Sequence, residues 1–254
     1  MKFLCKRGGS SGASSSGGGG AAAAPQRANT PSGVTYNQFL QMSDTEKYKL
    51  MDDIINDTSI VVPRELDSSV TSKIIYALGM TEKPTVVSDS QLDAIKGRAY
   101  YRTVNDYGNM SASEILNQIK SEDYTQLASG GGTAHGRALY FANTFVGSQM
   151  YGSSTATMMR VKLKPTANIV KEDDLVLRIV RDASFGSTRI GLSFPDSYAC
   201  YAIAHGIDGW YDKRNGYLMM VNRGALVASS VNKKVSGDSL GRFPSGWKSS
   251  PTAP

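Results

Sequence analysis

Two segments of the sequence place a polar or aromatic side chain inside a strand-like run, where it can line a ligand crevice. Residues 98–105 (RAYYRTVN) form a β-prone run around Arg102, whose planar guanidinium presents its N–H donors at a fixed geometry. Residues 136–151 (GRALYFANTFVGSQMY) are typical of a turn, a short strand and a helix. Successive strand residues point to opposite faces, so one of Tyr140 and Phe141 can join the core while the other covers a crevice.

Other residues with ligating or nucleophilic side chains are few. The cysteines (Cys5 and Cys200) and the histidines (His135 and His205) are too scattered for a disulfide scaffold or a four-ligand zinc site. We therefore expect no bound metal. The glycine-rich run at residues 129–133 (SGGGT) could cradle a phosphate, but it lacks the Gly-Lys-Ser/Thr ending of a nucleotide-binding P-loop.

Composition and charge narrow the class of protein. The chain has 254 residues and a formal net charge of +6, and its basic residues are scattered along the sequence. A dedicated nucleic-acid-binding protein usually carries a continuous basic face, so that class is disfavoured. Residues 1–5 are too short for the apolar region of a signal peptide, and no run of about 18 apolar residues exists. We expect a cytoplasmic protein without a membrane span.

Shifts in composition divide the chain into four parts. Residues 1–33 are rich in Gly, Ser and Ala and predict a disordered linker, because such a segment cannot bury a core. Residues 34–95 show apolar positions at helical spacing and predict a helical segment. Residues 96–232 predict the main domain, and residues 233–254 predict a flexible tail.

Local signals predict the elements of these parts. Ser43 and Glu46 have the spacing of a capping box, as do Ser111 and Glu114, so a helix should begin after each serine. Gly79 stands where a helix would end. Further helices are predicted at residues 173–180 and 196–204, and strands at residues 98–105, 138–141, 155–163, 208–211, 217–221 and 225–228. Strands outnumber helices and no βαβ rhythm appears, so we predict a mixed α+β fold.

Three of these segments, taken in order, resemble the ADP-ribosyltransferase superfamily, chiefly its poly-ADP-ribose-polymerase-like branch. YYRTVND resembles the first core strand, with Arg102 in the arginine position. GRALYFANTFVGSQMYG resembles the G-x-G-x-Y-F-A segment, with Tyr140 in the tyrosine position, Tyr151 at the helical aromatic, and Ala138 in place of the second glycine. GYLMMVNRGALV resembles the last strand pair. The resemblance covers residues 96–227 and extends to phage-encoded mono-ADP-ribosyltransferase domains.

The resemblance implies a split β-sheet that binds NAD as a substrate. Arg102 would hold the NAD, Tyr140 would stack the nicotinamide, and Tyr151 would close the pocket. The complete set of NAD-contacting candidates is Arg102, Thr103, His135, Gly136, Tyr140, Phe141 and Tyr151. The partners would be NAD and a protein or nucleic-acid acceptor, within a larger phage or host assembly and away from any membrane.

The resemblance also implies a glutamate on a late strand, and this chain departs from the pattern there. Glu172 is the last glutamate of the sequence, well before the strand that starts at Tyr217. The nearest acids are Asp208 and Asp212, and we take Asp212 as the catalytic candidate. Three explanations stay open: one of these aspartates reaches the ribose, the acceptor supplies the base, or the domain binds NAD without turning it over.

Each candidate also has an ordinary structural interpretation. Arg102 can be a strand arginine in a surface ion pair. Tyr140 can be a core aromatic, Tyr151 can pack its helix, and His135 can be a surface residue. His205, at a helix end, can bind the last helical carbonyls.

Two functions therefore remain in view. The first is an enzyme that transfers ADP-ribose from NAD to a macromolecular target, or hydrolyses NAD. The second is a non-catalytic module of the same fold that serves as a binding or structural part, for example of a phage particle. The first places the protein in the host cytoplasm, and the second allows a position in the virion. The basic charge alone suggests a third reading, a nucleic-acid-associated protein.

Overall fold

The structure is a computed structural model that describes residues 30–63, 68–80, 85–86, 97–106, 111, 114, 135–144, 147–148, 157–187 and 192–234. The described helices are α1 (Tyr36–Leu40), α2 (Asp44–Asn56), α3 (Val70–Ala77), α4 (Glu172–Arg181), α5 (Ala183–Gly186) and α6 (Phe194–Ala204). The described strands are β1 (Thr85–Val86), β2 (Ala99–Val104), β3 (Leu139–Ala142), β4 (Thr157–Leu163), β5 (Ile169–Lys171), β6 (Gly209–Asp212), β7 (Tyr217–Met220) and β8 (Leu226–Lys234). A short 3-10 turn at Arg223–Ala225 precedes β8.

The eight described strands form one mixed sheet in the order β1-β8-β4-β2-β3-β7-β6-β5. The pairs β1–β8 and β5–β6 are parallel, and the other pairs are antiparallel. Strands β2, β4 and β8 pair along most of their length and make one half of the sheet. Strands β3, β7 and β6 make the other half. The two halves meet between β2 and β3 through one paired position, Tyr101 with Ala142.

The N-terminal helices begin where the sequence supplies caps. The Ser43 hydroxyl accepts from the Glu46 N–H, and the Glu46 carboxylate accepts from the Ser43 N–H at 2.8 Å, which completes the predicted capping box. The chain therefore breaks between α1 and α2 and restarts at Asp44. Gly79 ends the third helix with a φ of 72°, a conformation that favours glycine.

Each face of the sheet carries an apolar cluster. On one face, residues of α1, α2, α3 and α6 pack with Trp210 of β6 and Met219 of β7 in what we call the helix-covered cluster, so the N-terminal helices share a core with the sheet. On the other face, Phe141 of β3, Met159 of β4 and Leu226 of β8 form a second cluster to which strands of both halves contribute. It contains no described residue of α1–α6, and we call it the strand-only cluster. The alternation of side chains along each strand sends neighbouring residues to different clusters.

The predicted α+β class is confirmed, and the predicted helices and strands match most of the described elements. The strands β1 and β5 and the helix α5 were not predicted. Strand β5 leads through α4, α5 and α6 to its parallel neighbour β6, so the chain contains one helical crossover where the sequence predicted none. Strand β8 continues to Lys234, past the predicted boundary at residue 232. The glycine-rich run at residues 129–133 lies outside the described residues.

None of the helices in the described ranges is long and apolar enough to cross a membrane.

Candidate functional site

Strand register brings two distant acidic residues together at one end of the sheet. Strand β5 pairs with β6 so that Lys171 lies opposite Tyr211. The next residue of each strand is an acid, Glu172 at the start of α4 and Asp212 at the end of β6. Because parallel strands run in the same direction, the residues that follow this pair, Glu172 and Asp212, lie side by side at one edge of the sheet.

His135 completes this group, which we call the carboxylate–histidine cluster (His135, Glu172 and Asp212). The imidazole Nδ1 lies 3.0 Å from both carboxylate oxygens of Glu172 and 3.8 Å from Oδ2 of Asp212. The side chains are 23%, 17% and 7% exposed respectively, so His135 and Glu172 are partly buried and Asp212 is buried. The Tyr217 ring lies 5.9 Å from the imidazole, measured between ring centroids.

The backbone around His135 is fixed by aromatic residues of the sheet. The Trp210 indole donates to the His135 carbonyl at 2.8 Å, and the His135 N–H donates to the Tyr140 hydroxyl at 3.2 Å. The Tyr140 hydroxyl in turn donates to the Gly136 carbonyl at 2.5 Å. Burial raises the pKa of Tyr140 to about 12, so it stays a neutral hydrogen-bonding group. The imidazole is therefore held on a rigid frame.

Asp212 is an anion held in place by its own turn. Its Oδ1 accepts from the Arg214 N–H at 2.8 Å, and its Oδ2 accepts from the Asn215 amide at 2.6 Å. Burial on its own would raise the pKa of this carboxyl, but the hydrogen bonds from Asn215 and Arg214 and the nearby His135 outweigh it. The pKa therefore lies below its ordinary value.

The pKa of the Glu172 carboxyl shifts in the opposite direction from that of Asp212. Burial raises the pKa of Glu172 above its ordinary value, and the charge of Asp212 adds to that effect. His135 opposes the shift through its hydrogen bond.

The ligating atoms of the cluster all lie within 4.8 Å of one another. At that distance two carboxylates repel by about 3 kcal/mol at an effective dielectric of about 20. The cluster thus places two carboxylates beside one imidazole.

Asp212, rather than Asp208, lies beside the start of β7, the late strand on which the resemblance implies an acid. Asp212 is directly paired with Tyr217, the first residue of β7. Asp208 lies at the far end of β6, where its carboxylate accepts from the Asn222 amide at 2.7 Å and from the Asn168 N–H at 2.7 Å. Asp208 therefore ties the end of β7 to the start of β5.

Arg102 and Tyr140 do not meet through their side chains. Arg102 is paired with Met159, which belongs to the strand-only cluster. Tyr140 is paired with Met219 and packs with the helix-covered cluster, so the two side chains project from opposite faces. They are joined by the backbone, since Nη1 of Arg102 donates to the Tyr140 carbonyl at 3.0 Å. Burial lowers the pKa of Arg102 to about 10, and the guanidinium stays charged at neutral pH.

The other candidates fall into three groups. His135 and Gly136 lie in or beside the carboxylate–histidine cluster. Thr103 is buried and its hydroxyl donates to the Ser148 carbonyl at 2.6 Å, while Phe141 is 1% exposed within the strand-only cluster. Tyr151 lies outside the described residues.

Glu172 is the member of the cluster that is not among the residues predicted from the sequence. It precedes the late strands in the chain, where the resemblance places the acid. The signal that could have found it is the short β-branched pair Ile169 and Val170, followed after Lys171 by an acid that begins a helix. A strand followed by helices and a second strand typically returns parallel to the first, which aligns the ends of both strands.

A second polar cluster lies between the helices, away from this site. The Tyr48 hydroxyl donates to Oδ2 of Asp182 at 2.6 Å and lies 2.9 Å from Nε2 of His205. The His205 ring packs against the Tyr201 ring with centroids 4.2 Å apart and the two planes tilted by 35°. Burial lowers the pKa of His205, although the charges of Asp44 and Asp182 oppose that shift. These contacts join α2 to α5 and α6.

Comparison with known proteins identifies no relative. The chain matches no protein-family model, no curated protein and no solved structure. The resemblance to the ADP-ribosyltransferase superfamily therefore stays a prediction.

Proposed function

We propose that the protein is an ADP-ribosyltransferase-like enzyme that cleaves NAD and transfers ADP-ribose to a macromolecular acceptor or to water. The observation that carries the proposal is the pairing of Asp212 with Tyr217. The family resemblance implies an acidic side chain on this late strand. Asp212 provides one from the neighbouring strand, 3.8 Å from Nδ1 of His135, the residue directly before the second motif.

The positions of the three motifs support the same function. The first motif lies on β2, the second on β3 and the third begins on β7, and these strands are consecutive in the sheet. The sequence separates them by long intervals, so their adjacency is a property of the fold. Adjacent core strands for the three motifs are what the family resemblance implies.

The cluster has the charge that the reaction needs. Cleavage of the bond between nicotinamide and ribose releases nicotinamide with the bonding electrons and leaves positive charge on the ribose. A carboxylate fixed in advance stabilises that charge, and the loss of one such group typically lowers the rate about 10²–10³-fold. Asp212 is the anchored anion. The attacking group, an acceptor side chain or water, loses a proton, and Glu172 and His135 are the nearest groups able to accept it.

Arg102 acts through the backbone in this proposal. Its hydrogen bond to the Tyr140 carbonyl sets the position of β3 at the junction between the two halves of the sheet. Tyr140 then holds the backbone of His135 and Gly136 through its hydroxyl. Arg102 is thus a positioning residue for the site, and a contact with NAD would be an additional role.

The test is nicotinamide release from NAD by purified protein with cell lysate as acceptor. We expect Asp212→Asn to lower the rate about 100-fold or more while its unfolding transition stays cooperative. The matched control is Asp173→Asn, because Asp173 is 81% exposed and adjoins Glu172 on the same helix. Equal rates in the two variants would remove Asp212 from the mechanism.

A non-catalytic binding or structural module is the second candidate, and one observation favours it. Both Asp212 oxygens and the Tyr140 hydroxyl already have hydrogen-bond partners within the protein. Groups satisfied in this way can serve the fold alone. Saturable NAD binding without release of nicotinamide, under every acceptor condition, would select this module over the enzyme.

A further inference from the structure

We propose that His135, Glu172 and Asp212 form a binding site for one divalent first-row transition-metal ion. The ligands would be Nδ1 of His135 and carboxylate oxygens of Glu172 and Asp212. His135 precedes β3, Glu172 lies in the first turn of α4 and Asp212 ends β6, so three separate parts of the chain supply the ligands. The proposal concerns the cluster itself and does not depend on NAD chemistry.

The separations of the ligand atoms suit a common metal centre. Metal–nitrogen and metal–oxygen bonds are about 2.1 Å long, so neighbouring ligand atoms lie about 3.0 to 3.5 Å apart. Nδ1 of His135 is 3.0 Å from Glu172 and 3.8 Å from Asp212, and the three ligand atoms all lie within 4.8 Å of one another. Small side-chain rotations bring such atoms onto one ion.

Hydrogen bonds from neighbouring residues already orient the ligands, as such bonds do in metal sites. Asp212 is fixed by hydrogen bonds from the Arg214 N–H and the Asn215 amide. The backbone of His135 is fixed on both sides, by the Trp210 indole at its carbonyl and by the Tyr140 hydroxyl at its N–H. Orienting groups of this kind commonly contribute 10- to 100-fold to metal affinity.

The charges favour a cation over a simple ion pair. Two carboxylates within 4.8 Å of each other share one imidazole, and a single proton on that ring balances only one of them. A divalent ion balances both and needs the imidazole neutral, with its proton on Nε2. One nitrogen and two carboxylate ligands suit Mn²⁺ and Zn²⁺, and the absence of thiolates from the cluster disfavours the softest metals.

A bound ion would also oppose the charge role of Asp212 in NAD cleavage. If the proposed transferase is correct, added metal therefore inhibits nicotinamide release. Metal binding itself is measured without NAD, so a failure of one proposal leaves the other standing.

The experiment is a titration of the full chain with Mn²⁺, in which the electron paramagnetic resonance signal of free Mn²⁺ reports the unbound ion. We expect one saturable site, and Zn²⁺ should displace the Mn²⁺. Glu172→Gln should weaken binding more than tenfold, since it removes a direct ligand. Asp173→Asn is the matched carboxylate control and His205→Gln the matched histidine control, and both should bind Mn²⁺ as the unmodified chain does.

A second readout covers the case in which a ligand variant fails to fold. The electron spin-echo spectrum of Mn²⁺ bound to the unmodified chain should show coupling to an imidazole nitrogen, and His205→Gln should retain that coupling. Absence of saturable binding by the unmodified chain would overturn the proposal. So would binding without the nitrogen coupling, or equal binding by Glu172→Gln and Asp173→Asn.

Discussion

Replacement of Gly136 by alanine should destabilise the protein and disturb the carboxylate–histidine cluster. Gly136 has a φ of 91°, in the left-handed region that L side chains rarely adopt. A Cβ there would lie 2.8 Å from the Cβ of Tyr198 and 2.9 Å from Cζ2 of Trp210. Trp210 is fully buried and bonded to the carbonyl of the preceding residue, His135, so it cannot move aside without disturbing the site.

The expected loss of stability follows from these two effects and from a smaller effect that opposes them. The left-handed backbone costs about 1–2 kcal/mol for a residue with a side chain. Overpacking against buried aromatic groups adds about 1–3 kcal/mol. The lower entropy of the unfolded alanine chain returns about 0.4–1 kcal/mol. We therefore expect Gly136→Ala to lower the free energy of unfolding by about 2–4 kcal/mol and, for a domain of about 200 residues, the Tm by about 5–15 °C.

The assay is urea and thermal unfolding followed by tryptophan fluorescence in a Trp247→Phe background. The chain contains two tryptophans, so Trp210 is then the only one and reports from beside Gly136. The control is Gly186→Ala in α5, where a Cβ meets no atom within 4 Å. That control should be neutral or slightly stabilising. If Gly136→Ala and Gly186→Ala unfold within about 0.5 kcal/mol of each other, the packing described around Gly136 is wrong.

Three further predictions concern the second polar cluster and the junction between β2 and β3. Tyr48→Phe loses hydrogen bonds to Asp182 and His205 and should lower the free energy of unfolding in urea by about 1–3 kcal/mol; an unchanged midpoint would contradict those contacts. The pKa of His205 is lower in the folded state than in the unfolded state, so the unfolded state takes up the proton first as the pH falls. His205 should therefore leave the free energy of unfolding unchanged above its ordinary pKa of 6.5 and should lower it as the pH drops from there through the pKa of the folded state. His205→Gln should flatten this dependence between pH 7 and pH 5, as measured by Tm. Arg102→Ala leaves the Tyr140 carbonyl without this donor and should lower the Tm, whereas Arg102→Lys should recover part of the loss; no change in either variant would refute the positioning role.

The local elements could be read from the sequence because their causes are local. The capping box of Ser43 and Glu46 involves residues three apart, and the structure contains both of its hydrogen bonds. The helix α6 follows from an apolar run that ends at Gly206, whose φ is 64°. Alternation along β3 follows from strand geometry alone. Such features need no knowledge of the tertiary fold.

The candidate site could be predicted only in part because it depends on strand pairing. Asp212 was named from the family pattern, but Glu172 reaches His135, 37 residues away in the chain, only through the parallel pairing of β5 with β6. The opposite faces of Arg102 and Tyr140 depend in the same way on how β2 meets β3. Register between distant strands is set by the packing of the whole core, which no short motif encodes.

The most direct test of the central claim is nicotinamide release from NAD by the purified full chain, with and without cell lysate. We expect nicotinamide release that rises when lysate supplies an acceptor, falls about 100-fold or more in Asp212→Asn and is retained in Asp173→Asn. Absence of release in all conditions, from protein that unfolds cooperatively, would contradict the enzymatic account and leave the binding or structural module.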